Sequence, residues 1–308
     1  MLHLLFIFLD GIGLGKDDQD TNPFSRARMP IIESILDGCR IVNSAAPMHT
    51  QRASLLSLDA CLGVPGLPQS ATGQAVLITG RNIPAELGYH YGPWPNKAVK
   101  ESLQNGNLFN QIKKAGRRVS FLNAYPPRYF EAIQSGKRLY SSIPFAVTSA
   151  GYELKSANDL QAGQALSADW TAIGWRNRLD LPDTPVLTPF QAGERLTSLA
   201  QAHDFSFFEY WLSDYAGHSQ DMDFACALLE TFDQVLDGVL NDWDDRHDLL
   251  LITSDHGNME DLSSRRHTTN QVPMLLVGST SARNAFCTGL QDLTGIAPAI
   301  LHSLEVML

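Results

Sequence analysis

The sequence predicts an α/β fold: a doubly wound, mostly parallel sheet flanked by helices, with a small inserted cap. Three observations carry this. The run Leu4-Leu5-Phe6-Ile7-Phe8-Leu9 is apolar throughout, as in a strand covered on both faces. Further such runs, Phe205 to Leu212 and Asp248 to Thr253, alternate with segments of helical period. Each of the three runs leads into an aspartate: Asp10, Asp214 and Asp255.

In chain order, the first strand breaks at Asp10-Gly11-Ile12-Gly13. Met29 to Leu36 reads as a short helix stopped by Asp37-Gly38, and Arg40-Ile41-Val42 as a strand. A Gly/Pro loop from Gly63 to Pro68 leads to a helix over Ala71 to Thr79, ended by Gly80. A helix over Asn107 to Ala115 precedes a strand at Val119 to Leu122. From Tyr125 the pattern weakens into Pro, Gly, Ser and aromatic residues, so 125–188 is read as the cap and 1–124 plus 189–308 as the core domain. Thr188 and Pro189 open a helix to Ala202. In the long helix from Met222 to Trp243, Phe224, Leu228, Phe232, Val235, Leu236 and Val239 recur at steps of three and four. A short strand at Pro273 to Val277 and a helix over Leu293 to Leu304 close the chain.

Composition narrows the function. With 308 residues, 44% hydrophobic and 18% charged, the chain has the balance of a globular protein. A net charge of −10 disfavours nucleic-acid and anionic-membrane partners, which select basic faces. It leaves room for an anionic small substrate where metal ions supply local positive charge. Leu2 to Leu9 has no basic segment before it and is too short to span a bilayer. Cys39, Cys61, Cys226 and Cys287 form no Cys-x-x-Cys pair, the pattern of reduced thiols in a cytoplasmic protein.

The chemistry concentrates at strand ends, where open α/β sheets bind ligands. Three aspartates on one sheet edge repel one another unless a cation lies between them. Histidines accompany them: His218 four residues after Asp214, His256 beside Asp255 in Ser254-Asp255-His256-Gly257-Asn258, and His267 before the last strand. A set of Asp and His without thiolate suits Zn²⁺ or Mn²⁺, and two sites better than one. A nucleophile is available in Gln69-Ser70-Ala71-Thr72-Gly73-Gln74, where Ser70 or Thr72 stands at a helix start that favours anions. N-capping by Ser70 is the plain structural alternative. Asp10-Gly11-Ile12-Gly13-Leu14-Gly15 lacks the glycine spacing of a dinucleotide-binding turn, which weighs against a redox protein.

These motifs, in this order, resemble the alkaline phosphatase superfamily, in particular the cofactor-independent phosphoglycerate mutase and phosphopentomutase branch. The resemblance implies an alkaline-phosphatase-like core holding two divalent ions, Mn²⁺ or Zn²⁺. It groups Asp214, His218 and His267 on one ion, and Asp10, Ser70, Asp255 and His256 on the other. It makes Ser70 the nucleophile, three residues before Gly73, with Thr72 the runner-up. Departures are Gln69 and Gln74 in the nucleophile motif, an insert smaller than that of phosphoglycerate mutases, and no sulfatase signature. The expected activity is phosphoryl transfer from a small phosphate ester through a phosphoserine, with phosphatase or phosphodiesterase hydrolysis favoured. A phosphomutase and a non-catalytic metal- or phosphate-binding module are the alternatives. Asn22, Arg81, Arg128 and Arg176 are expected near the substrate. Lys137, Arg138 and Arg178 are further anion-binding candidates, and Tyr129, Trp170 and Trp175 candidates to line the pocket.

Overall fold

Seven strands form one sheet in the computed structural model, which describes residues 2–306. They are β1 (His3–Leu9), β2 (Met48–His49), β3 (Ala53–Leu58), β4 (Val119–Phe121), β5 (Phe205–Tyr210), β6 (Asp248–Thr253) and β7 (Val272–Val277). Their order is β2-β3-β7-β6-β1-β5-β4. The apolar run that opens the chain is thus the inner strand between β5 and β6, parallel to both. Its side chains alternate between two cores, as the period of a strand requires. Leu4, Phe6 and Phe8 join one cluster and Leu5, Ile7 and Leu9 the other.

The sheet is less parallel than the sequence predicts. β4, β5, β1 and β6 run parallel, but β7 is antiparallel to β6, and β3 and β2 continue antiparallel beyond it. Arg40 to Val42 forms no strand. The edge is built instead by β2 and β3, which weak alternation had hidden. β5 ends at Tyr210, and the chain turns at once into helix Leu212–Ser219. Asp214 therefore lies in the first turn of a helix and not at a strand end.

Helices cover both faces. Helix Ser70–Thr79 is buried along almost its whole length against the Phe6/Phe8 face. Helices Pro189–Gln201 and Met222–Asn241 pack on each other and on the opposite face. Residues 125–188 pack in part against the core and in part on one another. Ile143, Ala146 and Val147 of helix Ser142–Ser149 belong to the same cluster as β1, while Ala124, Leu160, Ala165, Ala172 and Trp175 form a small third cluster. No helix among the described residues is long and apolar enough to cross a membrane.

Candidate metal centre

Parallel pairing of β1 with β5 and β6 brings their C-terminal ends together, and the ligands follow from that register. Asp10 directly follows β1, and Asp255 lies two residues beyond β6. Hydroxyls lock the adjoining loops. Ser213 Oγ donates to the Asp10 carbonyl at 2.6 Å, and the Ile12 amide donates to Ser254 Oγ at 2.8 Å. Gly11 adopts φ +68°, and a Cβ there would lie 2.5 Å from Asp214 Oδ1. A side chain at this position would be strained and would displace the Asp214 carboxylate.

Helix Ser70–Thr79 approaches through Gly73, where a Cβ would stand 2.8 Å from the Asp255 carbonyl oxygen. That contact brings the helix start onto the cluster. Gln69 is the N-cap residue and Ser70 the first helical one, with no side-chain cap bond. The Ser70 hydroxyl instead lies 3.0 Å from His256 Nε2. Thr72 is fully buried, with Oγ1 donating to the Gln69 carbonyl at 3.1 Å and accepting from the Tyr91 amide at 3.2 Å. The structure thus turns one hydroxyl into the cluster and ties the other into the loop.

Around His256 Nε2, Asp10 Oδ1 lies at 3.4 Å and Asp255 Oδ2 at 3.6 Å. Both carboxylate oxygens are buried without a hydrogen-bond partner, as is Asn258 Oδ1. On the other side, Asp214 Oδ1 is 3.7 Å from His267 Nε2, and Asp214 Oδ2 is 3.3 Å from His218 Nε2. The His256 and His267 rings stack with centroids 3.8 Å apart. Two groups of ligand atoms, Asp10/Asp255/His256 and Asp214/His256/His267, are each compact enough to surround one ion, with His256 shared. His218 stands just outside, exposed at the rim.

The histidines are oriented for this. Nδ1 faces a backbone carbonyl in each: Arg265 at 2.7 Å for His218, Pro68 at 2.7 Å for His267, and Gly257 at 3.4 Å for His256. A carbonyl only accepts, so Nδ1 carries the proton; in His256 and His267 the Nε2 lone pair then points into the cluster, while the hydrogen bond to Asp214 raises the His218 pKa and favours a proton on its Nε2 as well. Burial pushes His256 and His267 below their ordinary pKa, which keeps them neutral. Burial, reinforced by neighbouring carboxylates, drives Asp10 and Asp255 upward. Burial also pushes Asp214 up, but hydrogen bonds from His218 and Asn258 and the His256 imidazole outweigh it and bring Asp214 to about 2. At about 4 Å, each like-charged pair costs roughly 4 kcal/mol at an effective dielectric of 20. Orphaned acceptors, crowded carboxylates and free imidazole nitrogens fit divalent cations with N/O ligands. Asp10, Asp255 and His256, with Ser70 beside them, would hold one, and Asp214 and His267, with His256 between the two sets and His218 at the rim, another.

The sequence reading missed the residues that brace these ligands. Glu260 is buried and accepts from the Gly13 amide at 2.8 Å, the Asn258 amide at 2.7 Å, Asn270 at 2.9 Å and the Thr268 hydroxyl. Asn258 donates to Asp214 Oδ1 at 2.6 Å, and Gln74 to Asp10 Oδ2 at 3.3 Å. Glu209 is buried on β5, where burial and the Asp255 charge raise its pKa to about 8. The density of polar residues after Gly257 was the available signal for Glu260; nothing local marked Glu209.

Two expected substrate residues have other partners in the structure. Both ends of the Asn22 amide are engaged in its own loop, by the Lys16 carbonyl and the Phe24 amide. Arg81 follows the far end of helix Ser70–Thr79 and pairs with Glu86 at 2.6 Å on the surface. Arg176 donates to the Thr184 carbonyl at 2.6 Å, while Arg128 lines a cavity with Arg138 and Tyr129. Trp170 is a core residue, stacked on Phe208 and Tyr210, that also borders a second cavity with Trp175. The four cysteines are half-buried and unpaired.

Residues 191–308 match the model of the metalloenzyme superfamily. A 2,3-bisphosphoglycerate-independent phosphoglycerate mutase from Antithamnion sp. is 30% identical over 135 residues, which is 41% of this chain and 26% of the mutase. The chain thus spans about a quarter of the length of that relative. A protein from Pyrococcus horikoshii superposes with a TM-score of 0.57 at 14% identity, covering 100% of this chain and 98% of its own. A cold-active alkaline phosphatase from Shewanella sp. superposes with a TM-score of 0.56 at 13% identity, covering 98% and 100%. The superfamily model thus matches the C-terminal segment, and the fold shared with the alkaline phosphatase runs through the length of the chain.

Proposed function

We propose that this chain transfers the phosphoryl group of a small phosphate ester through a phosphoserine at Ser70, and that hydrolysis completes the cycle. The observation that carries the reading is the Ser70 hydroxyl on His256 Nε2, among carboxylate oxygens that have no other partner. Mn²⁺ or Zn²⁺ ions, two per chain, would hold the phosphate oxygens and lower the pKa of the Ser70 hydroxyl. Ser70 releases its proton to solvent and its Oγ forms a bond to phosphorus. The bond from phosphorus to the ester oxygen breaks, and that oxygen takes a proton from water. Water then attacks phosphorus, the Oγ–P bond breaks, and Ser70 is reprotonated. The helix N-terminus behind Ser70 favours the anion throughout. Glu260 and Asn258 keep the ligand loops in place, so most of the barrier reduction comes from positioning and charge neutralisation.

A phosphomutase shares the first half-reaction, and the mutase identity of the 30% relative favours it as the second reading. There the phosphoserine returns its phosphoryl group to another hydroxyl of the substrate. Incubation with a phosphate ester and Mn²⁺, followed by intact mass, is expected to show one phosphate adduct that is absent in Ser70→Ala. Inorganic phosphate in the medium marks a hydrolase and an isomeric ester marks a mutase. Full turnover by Ser70→Ala refutes both. The acidic balance supports a small phosphorylated substrate over a nucleic acid, and four unpaired thiols suit a reducing, cytoplasmic compartment.

A further inference from the structure

Two cavities open on either side of Trp211, the residue that caps the helix bearing Asp214 and His218. One, of about 520 Å³, is walled by Tyr125, Tyr129, Arg128 and Arg138. The other, of about 510 Å³, is walled by Trp170, Leu212, Phe224 and Leu228. They share Ala168, Trp175, Leu179 and Trp211, so they are two lobes of one recess. Together they are of the size and apolar character that bind small organic molecules.

The recess adjoins the metal-ligand cluster. Asn123, on the wall of the first lobe, exchanges two 2.7 Å hydrogen bonds with the backbone of Glu209. Tyr125, on the same wall, donates to the Glu209 carboxyl at 3.4 Å, and that carboxyl lies close enough to Asp255 to feel its charge. Tyr125 and the Glu209 carboxyl thus stand on the side of the first lobe that faces Asp255 electrostatically.

The walls carry two kinds of chemistry. Arg138 stacks 4.9 Å over the ring of Tyr129 and 5.6 Å from that of Trp94. Neither the Arg128 nor the Arg138 guanidinium makes an ion pair or a side-chain hydrogen bond among the described residues, although the charge of Arg138 is felt at Glu209. In a chain of net charge −10, two such cations beside aromatic walls match an anion. The second lobe is aromatic and aliphatic, and Trp211 at its edge is 46% exposed. A small polar ester such as a phosphoglycerate would leave these walls in water.

We propose that this recess holds the leaving group of the substrate, and that the leaving group is an aromatic ring system carrying an anionic group of its own. The ring lies against Trp211 and Trp175, its anion meets Arg128 and Arg138, and the ester phosphate reaches the cluster of Asp10, Asp214 and Asp255. This rests on the phosphoryl-transfer reading for the reaction but not for binding.

The free alcohol 6-hydroxy-2-naphthoate separates the two. Titrated into wild type and followed by tryptophan fluorescence, it is expected to bind saturably, with or without added Mn²⁺. Trp211→Ala and Arg138→Ala are expected to weaken binding at least fivefold, and Trp211→Phe to restore most of it. Both side chains are at the surface, and circular dichroism confirms that the variants fold. In turnover, the corresponding carboxynaphthyl phosphate is expected to exceed glycerol 2-phosphate at least tenfold in kcat/KM, with that ratio falling toward one in both alanine variants. Variant-sensitive binding without turnover of any ester keeps the recess assignment and removes the phosphoryl-transfer reading. No binding, binding unchanged in both variants, or equal turnover of the two esters overturns the assignment.

Discussion

Ser70 Oγ and His256 Nε2 stand 3.0 Å apart although 186 positions separate the residues in the chain. The same nitrogen faces Asp10 and Asp255, so a single point in space is addressed by three separate segments. Ser70→Ala removes the oxygen while leaving the fold intact, because that hydroxyl makes no cap bond. Turnover of any phosphate ester is expected to fall by at least three orders of magnitude, with an unchanged melting temperature. Thr72→Ala is expected to do the reverse, lowering stability by about 1 kcal/mol through its lost hydrogen bonds while sparing most of the activity.

The two ligand groups predict unequal losses of metal. Asp255→Asn strikes the fully buried group and is expected to lower metal content and activity together. Asp214→Asn is expected to reduce mainly the occupancy of the other ion. Elemental analysis of the purified variants reads the stoichiometry directly. Metal added at a hundredfold excess over its Kd is expected to stabilise wild type by about 2.7 kcal/mol, and chelation to reverse the gain.

Gly73 sets how closely the nucleophile helix approaches Asp255. A methyl group there would stand 2.8 Å from the Asp255 carbonyl oxygen, well inside contact distance. Gly73→Ala is expected to cost about 1–3 kcal/mol as the helix shifts. The loss in kcat/KM is expected to exceed what the fraction unfolded explains, since the shift carries Ser70 with it. Thermal unfolding beside steady-state kinetics tests this.

Glu209 gives a pH signature to the metal-free protein. Its folded pKa is raised from 4.5 to about 8, first by burial and then by the Asp255 charge. The folded state thus holds a proton that the unfolded chain releases, and the associated stability is present below about pH 4.5 and lost as the pH rises through 8. Glu209→Gln keeps the neutral form at every pH. In the presence of a chelator it is expected to match wild type in melting temperature at pH 5 and to exceed it at pH 8.5. Parallel melting curves for the two proteins would sink the assignment.

Asp10, Asp255 and His256 stood out as candidate ligands because each follows an inner strand whose apolar run is unmistakable. The sheet edge was less so. β2 spans two residues and β3 carries Ser54 and Ser57, so neither shows a clean period. Asp214 was read one element too early because Tyr210-Trp211-Leu212 continues the apolar run while the backbone already turns. Nothing local marked Glu209; its partners Asn123 and Tyr125 come from more than eighty positions away. Arg81 was chosen for its nearness in sequence to Ser70, but ten helical residues put the ends of that helix about 15 Å apart.

The place of β1 bears on how the chain can be divided. The segment matched by the superfamily model, 191–308, contains β5, β6 and β7 and five of the candidate ligands, yet β5 and β6 do not pair. The strand that joins them comes from the opposite end of the polypeptide. The most recognisable third of the molecule is therefore not expected to fold as a unit. Expressed alone it would leave two strands with bare edges where β1 belongs, open to self-association. Supplied in trans, the first part of the chain should heal that gap, so a split protein is expected to regain structure only when both pieces are made together.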